Sequence, residues 1–129
     1  MTKAQENRFK KTLEAKRAEL LRAIHQRREG LAVERVGDVM DQVRILADRE
    51  LAVRSVDRLC ADLRLVEGAL GEIRDGTFGI CAQCDRHIPM RRLEAVPWSP
   101  YCVSCQERVE QSQIEEETSE FEAPHALAS

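Results

Sequence analysis

The chain has 129 residues, a one-domain length. A third of them are charged and only 4% are aromatic, which is thin for a compact core and suits long solvated helices. The net charge of −3 excludes polyanion binding by bulk charge, and no apolar run approaches the roughly 20 residues that a membrane helix needs.

The charge is uneven. Residues 1–35 hold ten Lys or Arg against five Asp or Glu, whereas residues 106–129 hold one Arg against seven Glu. The N-terminus MTKAQENRFKK is charged with no apolar stretch behind it, so no signal peptide is expected, and the cytoplasm is the expected compartment. The five cysteines agree with a reducing compartment: four form two pairs spaced for metal, and Cys60 is left over.

Residues 3–35 lack proline and place Phe9, Leu13, Leu20, Ile24 and Leu31 along one helical face. Lys16 and Arg17 fill the gap in that stripe, and Gly30 and Gly37 weaken the helix near its end. A second helix carries a sustained heptad seam: Ala52, Val56, Leu59, Leu63, Val66, Leu70 and Ile73. Such a seam requires a partner helix, and the first is nearest, joined through Val36 to Met40. The expected object is an antiparallel helical hairpin, a rod about 50 Å long with no room for an ordinary pocket. Asp75-Gly76 stops the second helix.

The cysteines then follow as Cys81-Ala-Gln-Cys84, 17 residues, and Cys102-Val-Ser-Cys105. Two residues between cysteines let one tight turn present both sulfurs to one ion, and a loop of this length lets the two turns meet. The expected cofactor is one structural Zn2+ held by Cys81, Cys84, Cys102 and Cys105, since four sulfurs leave no open position for substrate. Paired disulfides or a redox dithiol are the weaker alternatives in a reducing compartment. His87 is expected at the surface, and Cys60, beside Leu59, as a small buried hydrophobe. A short helix is expected from about Val103 to Glu117. The acidic segment beyond it, residues 118–129, reads as a disordered tail.

The stretch Gly76-Thr-Phe-Gly-Ile-Cys81-Ala-Gln-Cys84, followed by Ile88-Pro-Met-Arg91-Arg92-Leu93-Glu94-Ala95-Val96-Pro97 and Cys102-Val-Ser-Cys105, resembles the DksA/TraR family. The resemblance covers roughly residues 5–117 and is densest at 76–105. It implies a mainly α fold: a long antiparallel two-helix coiled-coil hairpin (residues 1–75, tip about 36–43), then a small four-cysteine zinc finger with a short C-terminal helix (76–117). It implies a regulator, not an enzyme, that binds bacterial RNA polymerase rather than DNA and enters the secondary channel tip first. No sequence-specific DNA contact and no membrane partner are expected, and the chain is expected to be a monomer.

The family's tip pattern, Asp-x-x-Asp-x-Ala, matches Asp38-Val-Met-Asp41-Gln-Val43, with Val43 in the alanine's place. Asp38 and Asp41 are also suited to capping the second helix, and the two roles are compatible. Arg54 and Arg58, one turn apart, match basic residues that resemble polymerase-facing ones; a solvated face is the other reading. Arg91 and Arg92 either brace the zinc loop or face a partner. Some relatives respond to ppGpp, the alarmone of the stringent response, through three basic residues. Leu65, Val96 and Gln106 stand at the matching positions, and a polyphosphate needs cations, so weak or absent ppGpp dependence is expected.

Three other functions compete. A GATA-type DNA-binding finger needs a basic segment beside it, whereas the segment after Cys105 is acidic. A hydrolase built on Asp38 and Asp41 needs a pocket that a hairpin tip lacks, although the tip could deliver carboxylates to the polymerase's magnesium for transcript cleavage. A structural adaptor would use the hairpin as a docking rod.

Overall fold

The structure, a computed structural model, describes residues 1–32 and 39–128, and of residues 31, 32, 39 and 117–128 the backbone alone. It comprises two compact units, Met1–Phe78 and Gly79–Ser129.

The first unit is a pair of helices, α1 (Lys3–Ala32) and α2 (Val39–Asp75). A capping box starts α1. The Gln5 N–H donates to Thr2 Oγ1 at 3.2 Å while the Thr2 N–H donates to Gln5 Oε1 at 2.9 Å, so two otherwise orphaned donors are satisfied. At its far end α2 closes in a Schellman turn. The Thr77 N–H donates to the Glu72 carbonyl and the Gly76 N–H to the Ile73 carbonyl. Gly76 sits at φ 79°, a left-handed conformation that a residue without Cβ adopts freely.

Side chains that bridge the helices show them to be antiparallel. Phe9 packs on Phe78 with ring centroids 5.5 Å apart, Arg17 pairs with Glu67 at 3.8 Å, Arg27 donates to Ser55, and Arg28 approaches Cys60. Residue numbers rise along α1 as they fall along α2. The core consists of Phe9, Leu13, Leu20 and Ile24 from α1, Val56, Val66 and Ala69 from α2, and Phe78. Every seam residue from Ala52 to Ile73 is buried or half-buried. The charged residues in the α1 stripe are accommodated at its edge: Arg17 reaches Glu67, and half-exposed Lys16 pairs with Glu19 at 3.4 Å. Among the described residues the core does not reach the start of α2. Met40, Val43, Leu46, Leu51 and Val53 of α2 are all exposed.

The second unit holds the cysteines. An isolated antiparallel bridge joins Ile80 to His87 and is followed by α3 (Met90–Ala95) and α4 (Val103–Ala128). Its core is Ile88, Leu93, Cys81 and Cys105 with Ser99. The segment at 90–95, read from sequence only as part of the inter-cysteine loop, is helical. The Pro89 carbonyl accepts from the Arg92 and Leu93 N–H groups, and Leu93 is the buried anchor.

The last helix, α4, spans Val103–Ala128, a longer span than the short helix expected to about Glu117. Glu, Gln and Ala are good helix formers, and Gln106–Glu110 (3.1 Å) and Gln111–Glu115 (3.5 Å) are supporting i,i+4 pairs.

Candidate metal centre

Two local structures deliver the four sulfurs. The first is a tight turn at the bridge. The Cys81 N–H donates to the Arg86 carbonyl at 2.8 Å, the Asp85 N–H to the Cys81 carbonyl at 3.0 Å, and the Ile88 N–H to the Gly79 carbonyl at 2.7 Å. Gly79 (φ 91°) and Asp85 (φ 60°) take the left-handed conformations that fold the chain back on itself. The second is the start of α4, where the Cys102 carbonyl accepts from the Gln106 N–H at 2.9 Å. Cys102 precedes the helix and Cys105 lies in its first turn, so their sulfurs face one side.

The two structures are tied directly. The Ala82 N–H donates to the Pro100 carbonyl at 2.9 Å, and the Cys102 N–H donates to Cys81 Sγ at 3.4 Å. All four Sγ atoms lie within 4.8 Å of one another, and Cys84 Sγ is 3.9 Å from Cys102 Sγ. A tetrahedron with zinc–sulfur bonds of about 2.3 Å has edges of about 3.8 Å, so the quartet fits one zinc ion. All five cysteines are free thiols, and no disulfide competes for them.

The sulfurs differ in environment. Cys81 and Cys105 are buried, and Cys84 and Cys102 half-buried. Burial raises the Cys81 thiol, but the backbone N–H groups of Cys102, Cys84 and Gln83 outweigh it and bring its pKa down to about 6. The neighbouring Cys102 sulfur and then burial push the Cys105 thiol up to about 12. Protons must therefore leave when metal binds. Four thiolates close the coordination sphere, so the ion is structural.

The loop between the pairs is braced by Arg92. Its Nη2 donates to Ser99 Oγ at 3.2 Å, and Ser99 Oγ donates to the Tyr101 carbonyl at 2.9 Å, one residue before Cys102. Arg92 thus holds the zinc loop, while Arg91 is exposed. His87 is exposed and engaged through its backbone, as expected. Cys60 is half-buried rather than buried, with Arg28 Nη2 3.8 Å from its sulfur. Sequence reasoning missed Ser99, which no motif marks, and the arginines Arg86 and Arg108, which line a cavity together with Cys84, Cys102 and Cys105.

The remaining predicted residues lie on α2 or near it. Asp38 lies outside the described residues. Asp41 is in the first turn of α2, at its positive end, and Val43 is 61% exposed. Arg54 is exposed and pairs with Glu50 at 3.0 Å; Arg58 is also exposed. Leu65 is exposed, Val96 is half-buried, and the Gln106 side chain donates to Glu110. Among the described residues no helix is long and apolar enough to cross a membrane.

A helical hairpin followed by a closed four-sulfur site defines a C4-type zinc-finger protein. A profile of the prokaryotic dksA/traR C4-type zinc finger matches residues 76–111. The RNA polymerase-binding transcription factor DksA of Salmonella typhimurium is 31% identical over 107 residues, covering 81% of this chain and 71% of that protein. A 50-residue stretch is 50% identical to an uncharacterized protein of Aquifex aeolicus, covering 39% of this chain and 34% of that one. The solved structure of transcription factor DksA2 from Pseudomonas aeruginosa superposes with a TM-score of 0.76 at 28% identity, covering 88% of each chain. The chain belongs to the DksA/TraR family.

Proposed function

We propose that this protein is a transcription regulator that binds bacterial RNA polymerase through the secondary channel and alters the lifetime of promoter open complexes. The observation that carries this reading is the hairpin itself: an antiparallel helix pair whose α2 carries Asp41 in its first turn and an exposed Val43 just after it. A relative with which it shares most of its length is named as a polymerase-binding transcription factor. In this reading the cytoplasm is the compartment, and the chain does no chemistry of its own. The acidic end of α2 meets the magnesium and basic side chains of the polymerase active site, where charges interact more strongly than in water. Asp38, Asp41 and Val43 make the tip contact, and Arg54 and Arg58 face the channel wall. Zinc keeps the finger folded and takes no part in the reaction.

The acidic segment after the finger supports polymerase over DNA as the partner. Glu107, Glu110, Glu115 and Glu116 are exposed on α4, and such a segment repels phosphates. With Leu65, Val96 and Gln106 in place of cations, the regulator acts with little or no help from ppGpp. The direct test is binding of the purified chain to core polymerase, with and without ppGpp, alongside binding to naked duplex DNA. Polymerase binding that is indifferent to ppGpp supports the reading. Absence of polymerase binding leaves a structural adaptor, and tight salt-sensitive DNA binding assigns a DNA-binding finger instead.

A further inference from the structure

The sulfur cluster is not compensated evenly. On its buried side, Cys81 Sγ accepts the Cys102 backbone N–H at 3.4 Å. Cys84, Cys102 and Cys105 instead line an open cavity of about 330 Å³, whose remaining lining is Arg86, Ser104 and Arg108. Arg86 comes from the cysteine turn and Arg108 from the second turn of α4, so arginines from two separate segments line one cavity. Among the described residues neither is paired with a carboxylate.

Four thiolates around one Zn2+ carry a net charge of about −2. A free anion entering this cavity would meet that charge, whereas arginines at its rim offset it. Guanidinium groups present several N–H donors in a fixed fork and stay charged at any working pH. We propose that Arg86 and Arg108 are outer-shell cations of the zinc site, which retain the metal by compensating the thiolates of Cys84, Cys102 and Cys105. Neither ligates zinc. They act through the sulfurs, and because both are exposed their effect is screened by salt. This inference rests on the zinc site alone and is independent of any partner.

The test is zinc retention by the full chain in competition with a chromophoric chelator, at low and high salt. The variants are Arg86→Gln, Arg108→Gln, the double Gln change and the double Lys change, with Arg91→Gln as an exposed control outside the cavity. The expected result is a loss of about tenfold in zinc affinity for the double Gln variant at low salt, at the lower end of what outer-shell partners contribute. The loss should shrink at high salt, the Lys variant should keep most of the affinity, and the control should match wild type. Circular dichroism of the zinc-loaded forms checks the fold; if the double Gln variant does not fold, the single changes and the Lys variant decide. Wild-type affinity in the Gln variants at both salt concentrations overturns the proposal. So does a Lys variant as weak as the Gln variant, which assigns the arginines a packing role.

Discussion

The backbone N–H of Cys102 donates to the sulfur of Cys81 at 3.4 Å, so the second cysteine pair is docked on the first by main chain as well as by metal. One hydrogen bond contributes only about 1 kcal/mol, whereas a structural zinc contributes on the order of 10 kcal/mol or more to such a small fold. Stripping the metal with a chelator should therefore release residues 81–105 while α1 and α2 stay helical. Amide exchange resolved along the chain checks this: the expected result is fast exchange in the finger and continued protection around Val66. Simultaneous loss of both would show that the hairpin also depends on zinc.

Arg92 and Ser99 hold the approach to Cys102. Ser99→Ala removes the acceptor of Arg92 and the donor to the Tyr101 carbonyl in a position 8% exposed. It should cost about 1 kcal/mol or more of finger stability, since two half-buried partners, Arg92 and the Tyr101 carbonyl, are left unsatisfied. Thermal unfolding of the zinc-loaded protein, followed by Trp98 fluorescence, reads this out. Arg91→Ala, on the exposed side of the same helix, should change little.

The hairpin core predicts a sharp contrast along its length. Leu13 is fully buried and Leu51 is 62% exposed. Leu13→Ala should lower unfolding stability by about 2–5 kcal/mol, and Leu51→Ala by well under about 1 kcal/mol. Urea denaturation followed by helicity measures both. Equal effects would mean that the two helices pack elsewhere than along Phe9 to Ile24.

This core was legible because its period is plain. The seam from Ala52 to Ile73 repeats at heptad spacing, and all seven positions are buried or half-buried. Ala69 escaped because a small side chain outside the a/d pattern carries no periodic signal, yet it packs as tightly as its neighbours. Thr2 and Gln5 stand at capping-box spacing and could have been read as a helix start. The segment Met90–Ala95 could not, since a helix of six residues is too short to show a period. The metal site was fully legible because ligand chemistry requires the spacing itself. Its surroundings, Ser99, Arg86 and Arg108, depend on tertiary approach that no local pattern encodes.

Glu72 gives the hairpin a pH dependence. Burial pushes its carboxyl above the ordinary value. The folded chain holds that proton at a pH where the unfolded chain has released it, so stability falls as pH rises through the raised value, and the charged form is a penalty at neutral pH. Glu72→Gln should raise the urea midpoint of the hairpin at pH 7. Below about pH 4, where both states are largely protonated, the two proteins should agree. The same offset at both pH values would assign the change to packing instead.

The polymerase reading makes its demand on Asp41, in the first turn of α2 and outside both the core and the zinc site. Asp41→Asn keeps the size of the side chain and removes its charge, so zinc content and helicity of the isolated chain should match wild type, as befits an exposed substitution, and open complexes are compared at saturating protein. The most direct measurement is the half-life of open complexes formed by purified bacterial RNA polymerase at a ribosomal RNA promoter. The wild-type protein should shorten it, with or without ppGpp, and the Asp41→Asn protein should not. An unchanged half-life with wild-type protein bound to polymerase, or equal shortening by the variant, would contradict a regulator that acts through its acidic tip.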